Sequence, residues 1–162
     1  MARRPYKRDE DIMKEVAIKL AGILNEQFGL VEEDEIYIEE DLYEVLSNCY
    51  DWDGYELTKE LERTAYADGN SQMVEIMDSA DCIAEDIVSK KQTEWFRQQN
   101  FLLPKCSVGN IVKFKWRDGN LYEGEVVRID ERGRAYVFCE EIGHVRQGVG
   151  NHATIINLED LA

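Results

Sequence analysis

No run in this chain approaches the roughly 18 consecutive apolar residues that a membrane-spanning helix needs, so no membrane partner is expected. The opening Met-Ala-Arg-Arg is basic, but no apolar segment follows it, and a secretory signal is not expected either. Cysteines are few and far apart. Cys49, Cys82, Cys106 and Cys139 match no small secreted framework and read as reduced thiols of a cytoplasmic protein. Structural zinc sites use close cysteine pairs, and none exists here, so Cys106, Cys139, His144 and His152 are not expected to bind a metal. Both histidines fall near the end of the chain, outside any recognisable catalytic motif, which argues against a cysteine nucleophile with a histidine base. No G-x-S-x-G, Walker loop, H-E-x-x-H or dinucleotide fingerprint occurs, and Gly148-Val-Gly150 is too short to cradle a phosphate. These absences predict a protein that is not an enzyme and carries no cofactor.

Cations are also missing, but only locally. Between Val31 and Asp86 there are 19 carboxylates against two basic residues, Lys59 and Arg63. That stretch accounts for most of a net charge of −15 over 162 residues. The first thirty residues are near neutral, with a short basic arm of Arg3, Arg4, Lys7 and Arg8, and the segment from residue 105 onward is also near neutral. A surface this acidic repels nucleic acid and attracts basic partners, so direct nucleic-acid binding is not expected. The acid pairs Asp51/Asp53 and Asp78/Asp81 could hold magnesium. Such pairs arise by chance at this density, and a metal-dependent hydrolase is the weakest of the readings.

Apolar spacing divides the chain. Ile12, Val16, Leu20, Ile23 and Leu24 recur at helical intervals and predict a helix from Asp9 to about Phe28, stopped by Gly29. Val31–Ile38 reads as a loop or short strand. Leu42, Val45, Leu46 and Cys49 predict a second helix over Glu39–Tyr50. Asp53 with Glu56 three residues on has the form of a capping box, opening a third helix through Leu57, Leu61 and Ala65 that ends near Gly69. Asn70 or Ser71 caps a fourth helix through Met73, Met77, Ile83, Ile87 and Trp95, with Lys90 and Lys91 near its end, where the helix dipole favours cations. Pro104 breaks the pattern. Strands are predicted at Ile111–Trp116, Leu121–Ile129, Ala135–Cys139 and Thr154–Leu158. Asp118-Gly-Asn120 forms a hairpin turn, Gly124 marks a bulge or bend, and a glycine-rich loop from Gly143 to Gly150 precedes the last strand. The expected fold class is α+β: an acidic helical domain over residues 1–100, then a small β-barrel over residues 105–162.

The stretch Val108-Gly-Asn-Ile-Val-Lys-Phe-Lys-Trp116, with Asp118-Gly-Asn-Leu-Tyr122-Glu-Gly124 and Gly133-Arg-Ala-Tyr136-Val-Phe138, resembles an SH3-like small barrel of the Tudor or KOW kind. The resemblance covers the last third of the chain. It implies a five-strand barrel of a type that binds proteins, methylated side chains or nucleic acid. Trp116, Tyr122, Tyr136 and Phe138 are the barrel's aromatic candidates for a cation-binding cage; short-strand aromatics are more often core.

Two functional readings follow. In the first, the acidic helical surface docks on a basic protein surface, such as that of a nucleic-acid-binding protein or complex, in the manner of a DNA mimic. Glu32, Glu33, Asp34, Glu35, Glu39, Glu40, Asp41, Glu44, Asp51 and Asp53 would make the contact, with Tyr37, Tyr43, Trp52 and Tyr55 as aromatic anchors alongside Tyr50. Like charges at helical spacing each cost about 0.2–0.5 kcal/mol, so an unrelieved acidic surface is a burden that function would explain. On size and charge the chain resembles phage-encoded inhibitors of host restriction or CRISPR defence, which would place it in the host cytoplasm. In the second reading the barrel binds a peptide or nucleic acid through Lys113, Lys115, Arg117, Arg128, Arg132, Arg134 and Arg146, and the helices are scaffold. Exposed aromatics with Met73 and Met77 would also allow a homodimer seam.

Overall fold

The computed structural model describes residues 2–29, 37–65, 69–145 and 153–161, with the backbone alone over 143–145. The fold is α+β: helices first, then a curled antiparallel sheet. Two compact units are present, one of residues 5–91 and one of residues 1–4 together with 92–162. No helix among the described residues is long and apolar enough to cross a membrane.

The helical unit begins with α1 (Glu10–Phe28), whose Ile12, Val16, Leu20 and Leu24 are wholly buried. Gly29 ends it at φ 62° and donates its N–H to the Asn25 and Glu26 carbonyls, a left-handed cap that glycine adopts without Cβ strain. α2 (Glu39–Asn48) buries Leu42, Val45 and Leu46. It stops two residues before the Tyr50 expected from periodicity. Its C-terminal carbonyls are taken by side chains: Trp52 Nε1 and Arg8 Nη1 donate to Leu46 O (2.9 and 2.8 Å), and Arg8 Nη2 donates to Tyr50 O.

α3 (Gly54–Ala65) starts under Asp53, whose Oδ1 accepts from the Tyr55 and Glu56 amides at 3.0 and 3.2 Å. α4 (Ser71–Asp78) is capped by Asn70, which accepts from the Met73 amide at 3.0 Å. The single fourth helix expected from the sequence is in fact two. Ser79 turns tightly, its N–H and Oγ both reaching the Ile76 carbonyl (3.0 and 2.5 Å), and α5 (Ala80–Gln99) restarts beyond it. Lys90 and Lys91 consequently lie mid-helix, not at its end. Lys91 serves a lateral role, pairing with Asp11 (2.9 Å) and Glu15 (3.1 Å) of α1. α2 packs between α1 and α3, and α4 against both α3 and α1. Met73 and Met77 are fully inside this core and cannot form a dimer seam.

In the second unit four strands run in the order β1 (Ile111–Lys115), β2 (Leu121–Ile129), β3 (Arg134–Phe138), β4 (Thr154–Asn157), all antiparallel. A bridge from Phe114 to Leu161 draws the chain after β4 back onto β1, so the sheet curls into a half-barrel. Phe114, Val126, Ala135, Val137 and Ile156 fill its concave face together with Trp95 and Leu103 from the segment ahead of the sheet. Asp118 and Gly119 form the expected β1–β2 turn, with Gly119 at φ 85°. Two local expectations need correction. The irregularity in β2 lies between Val126 and Arg128, whereas Gly124 marks a close approach: a Cβ there would sit 2.5 Å from the Phe138 carbonyl oxygen. The segment read as loop from Gly143 begins inside a short helix, α6 (Glu140–Val145), which buries Ile142; residues 146–152 lie outside the described chain.

Arg4 locks the first residues into this unit. At 3% exposure it donates to both oxygens of Glu159 (2.5 and 2.8 Å) and to the carbonyls of Arg132 (2.7 Å) and Gly133 (3.0 Å). Its guanidinium lies 4.6 Å from the Trp95 ring centre. All these acceptors satisfy a cation that burial would otherwise penalise heavily.

Candidate functional site

Of the acidic residues singled out from the sequence, Glu32, Glu33, Asp34 and Glu35 lie outside the described residues. The remaining six separate by role. Asp53 is the α3 cap, its carboxylate committed to backbone amides. Asp51 is exposed on the turn between α2 and α3. Glu39, Glu40, Asp41 and Glu44 form a compact group on the first two turns of α2, and none of them makes an ion pair or side-chain hydrogen bond with another described residue.

Elsewhere in the helical unit several acids are matched, while Glu26, Glu56, Glu75 and Asp86 make no ion pair with another described residue. Glu60 accepts from Arg63 (2.5 and 2.9 Å) and from Asn48 (2.8 Å), and these bonds bring its pKa down to about 2. Glu62 pairs with Lys59 at 2.6 Å, Asp81 pairs with Lys7, and Asp78 accepts from the Gly54 amide at 2.6 Å. The two cations of the acidic segment thus pair on α3, and Arg63 attracts Glu44 of α2 without forming an ion pair with it. Asp41 registers the consequence: partial burial, then the charges of Glu44 and Glu40, raise its carboxyl above the ordinary aspartate value. The first-turn position favours negative charge through the helix dipole, which tolerates the cluster without neutralising it.

The aromatic candidates also divide. Trp52 is core at 5% exposure, its ring covered by Lys7 (4.4 Å) and Arg8 (4.7 Å). Periodicity could not reveal this, because Trp52 sits in a turn; the signal was the basic arm, of which Lys7 and Arg8 lie over the Trp52 ring and Arg4 is buried, while Arg3 is exposed. Tyr37 and Tyr43 are half-buried against the helical core. Tyr55 is exposed, and Tyr50 stands almost entirely clear of the protein at 92% exposure. Cys49 has its thiol pushed up by burial and by Glu60 and Glu56, and Cys106 by burial, the reverse of what activates a nucleophile.

In the sheet unit, Trp116 and Tyr122 flank Phe114 on the concave face, with ring centres 6.4 and 6.3 Å from it. Tyr136 projects from the opposite face, paired with Arg128 in register and carrying that guanidinium 5.0 Å from its ring centre. Phe138 shares the Tyr136 side of β3. The four aromatics therefore do not meet in one cage. The proposed basic set is partly spent: Lys113 pairs with Glu123 and Arg134 with Asp130. Arg146 is outside the described residues. Lys115 and Arg117 border an open groove of about 430 Å³ with Trp116 and Ile155. Among the described residues no group of three or more His, Cys, Asp or Glu is placed to hold a metal ion.

No family model matches this chain, and no curated protein or solved structure matches it significantly.

Proposed function

We propose that this chain is a non-enzymatic interaction protein whose anionic helical surface docks on a basic protein surface, of the kind that nucleic-acid-binding proteins present. The observation that carries the reading is the α2 cluster of Glu39, Glu40, Asp41 and Glu44, exposed or half-exposed and unpaired within the described residues, while Glu60 and Glu62 on α3 are paired with Arg63 and Lys59. The helix dipole favours anions in the first turn, but four adjacent ones still repel one another; a basic partner would relieve that repulsion and release it as binding energy. Double-stranded DNA sets about one charge per 1.7 Å of axis, and carboxylates on a rigid helix can compete with phosphates for the same groove. Inhibition of a nucleic-acid-processing enzyme by such mimicry is the biological role this reading favours.

The test is a fourfold reversal, E39K/E40K/D41K/E44K, in the full chain. The helix should persist by circular dichroism, since Glu39, Glu40 and Glu44 are exposed and Asp41 is only partly buried. Capture of basic proteins from a lysate, and its loss above about 0.5 M salt, where screening reaches only a few ångströms, should both disappear. A reversed variant that captures the same proteins with the same salt profile removes the proposal.

A second reading rests on the groove beside Lys115, Trp116 and Arg117, which would suit an SH3-like barrel of the Tudor or KOW kind taking an acidic peptide or a nucleic-acid strand. Reversing Lys115 and Arg117 in the full chain separates the two. Loss of binding there, with the α2 reversal silent, would transfer the function to the sheet.

A further inference from the structure

Beside the α2 cluster lies an apolar groove that the charge argument does not use. Lys14 and Ile18 of α1 and Glu39, Glu40 and Tyr43 of α2 enclose about 230 Å³. That is smaller than the roughly 300–1,000 Å³ of small-molecule sites, and it has room for one large side chain. Its walls are the half-exposed Ile18 (48%) and the Tyr43 ring. Its lining carries both signs of charge: Lys14, held by Glu10 (2.5 Å), leans over Tyr43 at 5.8 Å, while Glu39 and Glu40 make no ion pair with another described residue.

One turn beyond Ile18, on the same face of α1, is Gly22. Glycine inside a helix is unfavourable, and nothing among the described residues requires it: a Cβ at Gly22 would meet no atom of theirs within 4 Å. Glycine in such a place permits another backbone to come close. Ile18, Glu39 and Glu40 line one seam between α1 and α2, and Gly22 follows Ile18 by one turn of α1.

We infer that this seam is a docking groove for a protein segment in which a leucine-sized apolar residue is flanked by lysine or arginine. The apolar side chain enters between Ile18 and Tyr43, the segment's backbone crosses over Gly22, and its cations meet Glu39 and Glu40. The inference rests on the acidic-surface reading and adds to it the anchor that distinguishes a cognate partner from any basic protein, since charge sets encounter rate and a desolvated apolar anchor sets residence.

Two dye-labelled eight-residue peptides of equal positive charge test it by fluorescence anisotropy at low salt, one with leucine between its cationic pairs and one with serine there. Burial of a leucine side chain should make the first bind about tenfold more tightly or better. Gly22→Leu, which fills the crossing point on an exposed helix face, and Ile18→Ser should each abolish that preference while leaving the serine peptide's affinity unchanged. E39K/E40K should weaken both peptides. Equal affinity for the two peptides, or a leucine preference that survives both Gly22→Leu and Ile18→Ser, overturns the groove and leaves the anionic surface standing. If neither peptide binds the native protein, the anionic surface itself is overturned, and the groove with it.

Discussion

Single residues in this protein do work that their type alone does not announce. Gly133 closes the β2–β3 turn at φ 73°, and a Cβ there would run into the Phe96 ring well inside van der Waals contact. Its carbonyl also accepts from Arg4. Gly133→Ala combines a left-handed backbone with a clash, so it should lower stability by about 1–3 kcal/mol or more, read as a fall in the denaturant midpoint. Glu60 and Asp41 titrate in opposite senses. Glu60 has a folded pKa of about 2 against 4.5 for a free glutamate, so its contribution is complete above pH 4.5 and is lost as pH falls toward 2. Asp41 is raised, so its contribution is complete in acid and is lost as pH rises through its folded value. Urea titrations from pH 7 to pH 2 should therefore show Glu60→Gln less stable than the parent at pH 7, and Asp41→Asn more stable, with both differences shrinking toward the acid end. Were Asp41→Asn neutral at pH 7, the α2 anions would not be repelling one another. None of this was readable from composition, because it depends on which acid the two cations of the acidic segment reach.

At the scale of elements, the pattern of apolar residues located nearly everything. α1, the start of α3 and all four strands fall within a residue or two of the positions their periodicity predicts, and the Asp53, Asn70 and Gly29 boundaries are those that capping chemistry selects. The failures share a cause. The break at Ser79, the early end of α2 and the placement of Trp52 are all decided by side chains reaching backbone carbonyls, a competition that apolar periodicity does not encode whether the partner is 3, 6 or 38 positions away. The acidic candidates were legible as a class, but which of them stay unpaired was not. α1 offers a clean stability test: with open space around Gly22 and a helical backbone, Gly22→Ala should stabilise by about 0.5–1 kcal/mol. An unchanged or lower thermal midpoint would mean that the backbone there departs from ordinary helix.

Across the whole molecule, chain order and fold order diverge. Residues 1–4 belong with 92–162, and the helical unit of residues 5–91 is set between them. A fragment of residues 105–162, natural to choose from the change in periodicity, would lack Trp95, Leu103 and Arg4, all buried parts of the sheet unit. Arg4 meets Glu159 across 155 positions of sequence, and contacts of such range form late. During synthesis the helical unit holds all its residues well before Glu159 exists. Ribosome-stalled chains ending ahead of Glu159 should show hydrogen-exchange protection in α1–α4 but not in β1–β3, and the reverse order would refute that sequence of events. The first few residues thus behave as a latch thrown by the far end of the polypeptide. A protease cut or a bulky tag just ahead of Arg4 would disturb the sheet at the opposite terminus and spare the helices that come next in the chain.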